Sequence, residues 1–139
     1  MFVLDTNVLS ELRPGRARVS PAVTAWSKTV PVEALYLTAV TVLEIERGLL
    51  QFERRAPQDA GALRGWFDGM RGLFAGRVLP FTEDAAVRCA AMHVPDPAPE
   101  RDSMIAAIAL EHGMTLVTRN VKDFERTGVR LFNPWGFQP

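Results

Sequence analysis

Four acidic residues, Asp5, Glu44, Asp102 and Asp123, each stand beside a short apolar segment in a way that brings them to one place. Asp5 follows Phe2-Val3-Leu4, a run too short for a helix and rich in strand formers, so the run reads as a buried parallel strand. Thr6 and Asn7 then offer capping side chains, and Val8, Leu9 and Leu12 begin a helical spacing. Asp5 thus sits where a strand ends and a helix begins, the edge at which open α/β sheets hold ligands. Glu44 falls in the first turns of the helix after a second strand. Asp102 falls in the first turn of the helix leading into a fourth strand, and Asp123 follows that strand. A crossover helix runs antiparallel to its strands, so its N-terminus returns to their C-terminal edge. All four acids therefore point to one crevice.

Each acid also has an ordinary structural use. Asp5 can cap a helix, and Asp102 with Glu100 suits the positive end of a helix dipole. Thr41-Val42-Leu43-Glu44 reads as a capping box, and Asn120-Val121-Lys122-Asp123 resembles the same device. Jointly the capping explanation weakens, because three or four converging carboxylates repel one another unless a cation is present. Oxygen donors without Cys or His suit Mg²⁺ or Mn²⁺ rather than zinc. The single Cys89, in a helical pattern, reads as a small core residue, and His93 and His112 are too scattered for a zinc site. The helical wheel places Glu46, not Glu44, between the apolar stripes of its helix, so pattern alone leaves that choice open.

The elements that must carry these residues alternate along the chain. Strands are expected at 2–4, 35–37, 78–81, 115–118 and, weakly, 129–132. Helices are expected from Thr6, from Ser20-Pro21 to Val30, over 40–54, over 58–74, from Thr82 to Met92, and from Glu100 to His112, where Gly113 caps. Pro80 marks its strand as an end or an edge. Pro95, Pro97 and Pro99 break the chain into an extended loop. Alternation of this kind implies an α/β fold with a mainly parallel sheet. The helices over 40–54 and 58–74 carry more apolar surface than one sheet face needs, which suggests a dimer interface beside interior packing.

A chain of 139 residues, 47% hydrophobic and 23% charged, implies one domain, 1–139. Its 16 basic and 16 acidic residues cancel, so net charge by itself does not point to nucleic acid. Arg13, Arg16, Arg18 and Arg119 lie in loops or turns, where they are solvated or touch phosphates. No signal peptide or membrane span is visible, and a cytoplasmic location is expected.

Leu4-Asp5-Thr6-Asn7, Thr41-Val42-Leu43-Glu44, Asp102 with Ile105-Ala106-Ala107, and Thr118-Arg119-Asn120 followed by Asp123-Phe124 resemble the PIN-domain ribonucleases. The nearest likeness is to VapC-type toxins, particularly the FitB-like branch, which Thr118-Arg119-Asn120 and Phe132-Asn133-Pro134-Trp135 echo. The resemblance implies a three-layer fold with a five-stranded parallel sheet between helices and a pocket for one or two Mg²⁺ or Mn²⁺ ions. Asp5, Glu44 and Asp102 match the three core acids, and Asp123 a fourth that varies. Glu44 is chosen over Glu46 on this resemblance and on its nearness to the helix start. Thr6, Asn7, Thr118 and Asn120 match positions that support the pocket.

The expected activity is metal-dependent hydrolysis of RNA, with Asp5 and Asp102 as direct ligands. Glu44 and Asp123 would bind a second metal or its waters, and Thr118 and Asn120 would hydrogen-bond the carboxylates. The resemblance also implies a homodimer that can assemble further, and a cognate antitoxin that inserts a peptide into the pocket. The loop before Asp102 departs from the family pattern, because Glu100 and Arg101 replace a small-residue lead-in. Arg101 can pair with Asp102 or touch the RNA backbone. One rival reading is a weakly active binding module acting in an antitoxin complex on operator DNA. Another is a receiver-type phosphoacceptor domain, which lacks here both its acidic pair and a well-placed lysine.

Overall fold

The computed structural model describes residues 1–139. Its elements run β1 (Phe2–Leu4), α1 (Thr6–Glu11), α2 (Pro21–Ser27), β2 (Leu35–Thr38), α3 (Ala39–Arg55) and α4 (Gly61–Leu73). They continue with β3 (Val78–Leu79), α5 (Glu83–Met92), α6 (Glu100–Glu111), β4 (Thr115–Val117), α7 (Val121–Phe124) and β5 (Leu131–Phe132). The five strands form one sheet in the order β3-β2-β1-β4-β5, and every pairing is parallel. The first three strands build outward from β1 on one side. The chain then crosses back through α5 and α6 to place β4 on the other side of β1. The end of β1 is therefore a topological switch point, where a crevice opens between diverging connections.

Consecutive strand residues face opposite layers, and the core is accordingly split in two. Val3, Tyr36 and Leu116 pack with Ala85, Cys89, Ile105, Ile108 and Phe124 on the α5–α6–α7 side. Leu4, Leu35, Leu37 and Val117 pack with Val8, Leu9, Trp26 and Phe74 on the other. Helix α6 is buried along Ile105 to Ala109 because it lies between sheet and neighbours, and small alanines let α5 approach it.

Several boundaries differ from the sequence expectation for local reasons. Helix α4 starts at Gly61 rather than near 58, since residues 57–59 form a turn whose Asp59 N–H donates to the Ala56 carbonyl at 3.0 Å. Helix α2 stops at Ser27, where the Thr29 hydroxyl takes the Trp26 carbonyl at 2.7 Å. Strand β3 ends before Pro80, and β5 begins only at Leu131. Gly113, at φ +64°, follows α6 in the left-handed region that glycine adopts without strain. Buried Glu11, at the end of α1, accepts the Ser20 N–H at 2.8 Å and pairs with Arg16 at 3.3 Å, tying down the 12–20 connection.

Candidate active site

Asp5 leaves β1 with its N–H donated to the Val117 carbonyl of β4 at 2.9 Å, so the sheet itself sets its position. The residue is only 5% exposed. Its Oδ1 accepts the Thr6 N–H at 2.8 Å, so Asp5 does cap α1. Its Oδ2 accepts the Thr118 hydroxyl at 2.8 Å and the Asn7 amide at 3.3 Å. Every partner is a donor, which fixes the orientation of the group. Burial nevertheless raises its pKa. The Thr118 and Thr6 hydrogen bonds pull the other way, and Glu44 and Asp123 add repulsion.

Glu44 faces the same crevice. The Thr6 hydroxyl donates to its Oε1 at 3.0 Å and also reaches the Thr41 hydroxyl at 3.3 Å. The capping-box reading of Thr41 and Glu44 is overturned. The cap of α3 is Thr38, whose hydroxyl accepts the Thr41 N–H at 3.1 Å and donates to the Thr41 hydroxyl at 3.4 Å. That frees Glu44, one turn further on, to turn toward Thr6. Glu46 is committed elsewhere: Arg64 of α4 binds it at 2.6 Å and Glu53 at 2.8 Å, clamping α3 to α4. The structure thus separates the two glutamates that the helical wheel left open.

Asp102 lies in the first turn of α6, half-buried, and its pKa is raised to about 6. Desolvation is the largest cause, followed by the like charges of Asp5, Asp123 and Glu44, with Arg101 opposing them. Asp123, exposed in α7, is near enough to act on both Asp5 and Asp102. The four acids therefore share one field.

Among the expected supporting positions, Thr6, Asn7 and Thr118 make direct contacts to the acids or to one another. Asn120 differs. Its side chain neither caps α7 nor bonds a carboxylate; its backbone N–H donates to the Thr118 hydroxyl at 3.0 Å instead. Asn120 thus orients Thr118, which orients Asp5. Arg119 lies over the Trp135 ring at 5.1 Å, and its N–H donates to the Asn7 Oδ1 at 3.3 Å. Arg101 pairs with Glu44 at 3.8 Å rather than standing as a close partner of Asp102. Thr38 escaped the sequence reading as the cap, a role given there to Thr41; its signal was Thr-Ala-Val-Thr at a strand-to-helix junction, with the true cap three residues earlier.

No group of three His, Cys, Asp or Glu side chains is gathered tightly enough to be a finished metal cage. The donor chemistry still fits a hard divalent cation: the donors are carboxylate oxygens, and burial together with the like charges of Asp5, Asp123 and Glu44 disfavours the bare carboxylate of Asp102.

Comparison with known proteins places this geometry. The PIN domain model matches residues 2–129, and the chain belongs to the PIN-domain family. It is 39% identical to VapC ribonuclease Y4jK of Sinorhizobium fredii, over 97% of this chain and 98% of that protein. It is 35% identical to Toxin FitB of Neisseria gonorrhoeae, over 97% and 99%. Among solved structures it resembles the crystal structure of FitAcB from Neisseria gonorrhoeae, with a TM-score of 0.89 at 34% identity, covering 99% of this chain and 100% of that one. A structure of FitAB bound to a DNA fragment matches with a TM-score of 0.79 at 33% identity, covering 100% and 99%.

Proposed function

We propose that residues 1–139 form a single PIN domain that hydrolyses RNA phosphodiesters with Mg²⁺ or Mn²⁺, as the toxin of a toxin–antitoxin pair. The observation that carries this is the convergence of Asp5, Glu44, Asp102 and Asp123 at the switch point of a parallel sheet. The resemblance to a VapC ribonuclease and to FitB supports both halves of the reading. Asp5 and Asp102 are the direct ligands in this proposal, with Glu44 and Asp123 completing the set or holding its waters. A divalent cation bound there supplies Lewis acidity toward the phosphodiester and an activated water.

The chain's own residues do the positioning. Thr118 and the Thr6 N–H fix both oxygens of Asp5, and the Thr6 hydroxyl fixes one oxygen of Glu44. Asn7 braces Asp5 and Thr118 together. No covalent nucleophile is needed. His93 is occupied by Ser103 at 2.8 Å and is no base for this reaction.

The proposal includes a cognate antitoxin, a homodimer that can assemble further, and a cytoplasmic setting. No helix is long and apolar enough to cross a membrane.

The test is cleavage of total cellular RNA by purified, antitoxin-free protein with Mn²⁺ or Mg²⁺ against EDTA, with 5′ ends mapped. Asp5→Asn keeps an acceptor for the Thr6 N–H and is expected to remain folded while losing at least about 100-fold in rate, the scale of one removed electrostatic element. Wild-type rates in that variant would sink the assignment. The DNA-bound FitAB structure favours a second reading, a weakly active module working in an antitoxin complex on operator DNA. Folded wild-type protein that cuts no RNA with either metal would move the weight there.

A further inference from the structure

Most arginines of this chain are already engaged. Arg16, Arg64 and Arg88 pair with carboxylates, Arg77 and Arg126 donate to backbone carbonyls, and Arg119 lies over Trp135. Arg47 makes no such contact, and it is exposed. It sits three residues after Glu44 on α3, on the same side of the helix, and lines an open cavity of about 650 Å³ together with Glu44, Arg101 and Asp102. Arg101 reaches the cavity from α6. Its only ion pair, to Glu44, is long at 3.8 Å and half-exposed, a geometry worth little.

Helix stability does not explain Arg101. A cation in the first turn opposes the helix dipole. Pro99 gives α6 no side-chain cap, and its first turn, which also carries Glu100 and Asp102, lines the same cavity. Guanidinium forks match phosphate oxygens in a bidentate way. Two of them on the wall beside the carboxylates are placed for a neighbouring phosphate of a strand whose scissile bond lies at Asp5 and Asp102.

We propose that Arg47 and Arg101 form a phosphate-binding subsite that grips the RNA backbone next to the cleaved nucleotide. This rests on the ribonuclease reading. The test is an anisotropy titration of a short fluorescein-labelled single-stranded RNA of mixed sequence into Asp5→Asn protein over a salt series. Arg47→Ala and Arg101→Ala are each expected to weaken binding several-fold. Each should lower the magnitude of the log–log salt slope by about 0.7, and the double variant by about twice that. Arg101→Lys should keep the slope and lose part of the affinity. Arg88→Ala, at an exposed arginine of α5 outside this cavity, should change neither quantity.

In otherwise wild-type protein Arg47→Ala should raise KM and spare kcat. Unchanged affinity and slope in variants of a protein that does cut RNA would overturn the subsite and leave the nuclease standing. Parent protein that neither binds nor cuts RNA would overturn both. Loss of self-association with an unchanged RNA slope would assign the arginines to a protein interface and remove the subsite.

Discussion

Asp102 carries the most informative charge in the molecule. Its carboxyl is raised from an ordinary 3.8 to about 6, by burial first and by Asp5, Asp123 and Glu44 next. Between those two values the folded protein holds more protons than the unfolded chain, so stability falls as pH rises. The favourable contribution is complete below about 3.8 and is lost as pH climbs through about 6. Asp5 is raised as well and adds to the same trend. Metal-free protein in EDTA should therefore melt at higher temperature at pH 5 than at pH 7.5. Asp102→Asn should flatten that dependence and raise the melting temperature at pH 7.5, while abolishing cleavage. A variant with the wild-type pH slope would show that the four acids do not share a field. Gain of stability with loss of activity is what a functional strain predicts and what a simple cap does not.

At the scale of elements, the fold was legible wherever local signals agreed. Phe2-Val3-Leu4 ending in Asp5, Ser20-Pro21 opening α2, and Gly113 closing α6 are self-contained, and each stands where it was expected. The misreadings came from residues whose partner is remote. Thr41 and Glu44 satisfied the spacing of a capping box, but Thr6, more than thirty positions away, claims both. Asn120 had the right type to bond an acid but serves through its backbone. Glu11 gave no signal at all, since an acid in the last turn of a short helix opposes the dipole, and only the folded 12–20 connection explains it. Its role is testable. Glu11→Ala removes the acceptor of the Ser20 N–H and should cost about 1–3 kcal/mol in a denaturant titration. Glu11→Gln should recover part of that loss, because the amide oxygen still accepts. Equal stability of the alanine variant and wild type would mean the connection is held by something else.

For the molecule as a whole, α3 is the element on which the proposed catalysis and the proposed dimer meet. One flank of α3 carries Glu44, and the opposite one clamps to α4 through Glu46, Glu53 and Arg64. Its outer flank leaves Leu43 and Leu50 exposed, and Leu73 of α4 is exposed as well. An open cavity of about 670 Å³ between the two helices is lined by Leu43, Leu50 and Arg71. In a twofold dimer the same patch meets itself, so one apolar surface is covered twice by one contact. Leu43 borders this cavity and the one that holds Arg47 and Arg101, so a second copy seated on α3 would wall the RNA path beside each active site. Light scattering on the purified chain should give twice the 15.4 kDa monomer mass. Leu50→Glu should return it to the monomer with unchanged circular dichroism, and its KM for RNA should rise because one wall of the path is gone. A wild-type chain that is monomeric at tens of micromolar would remove the dimer. A Leu50→Glu monomer with unaltered KM would keep the dimer and separate it from the site.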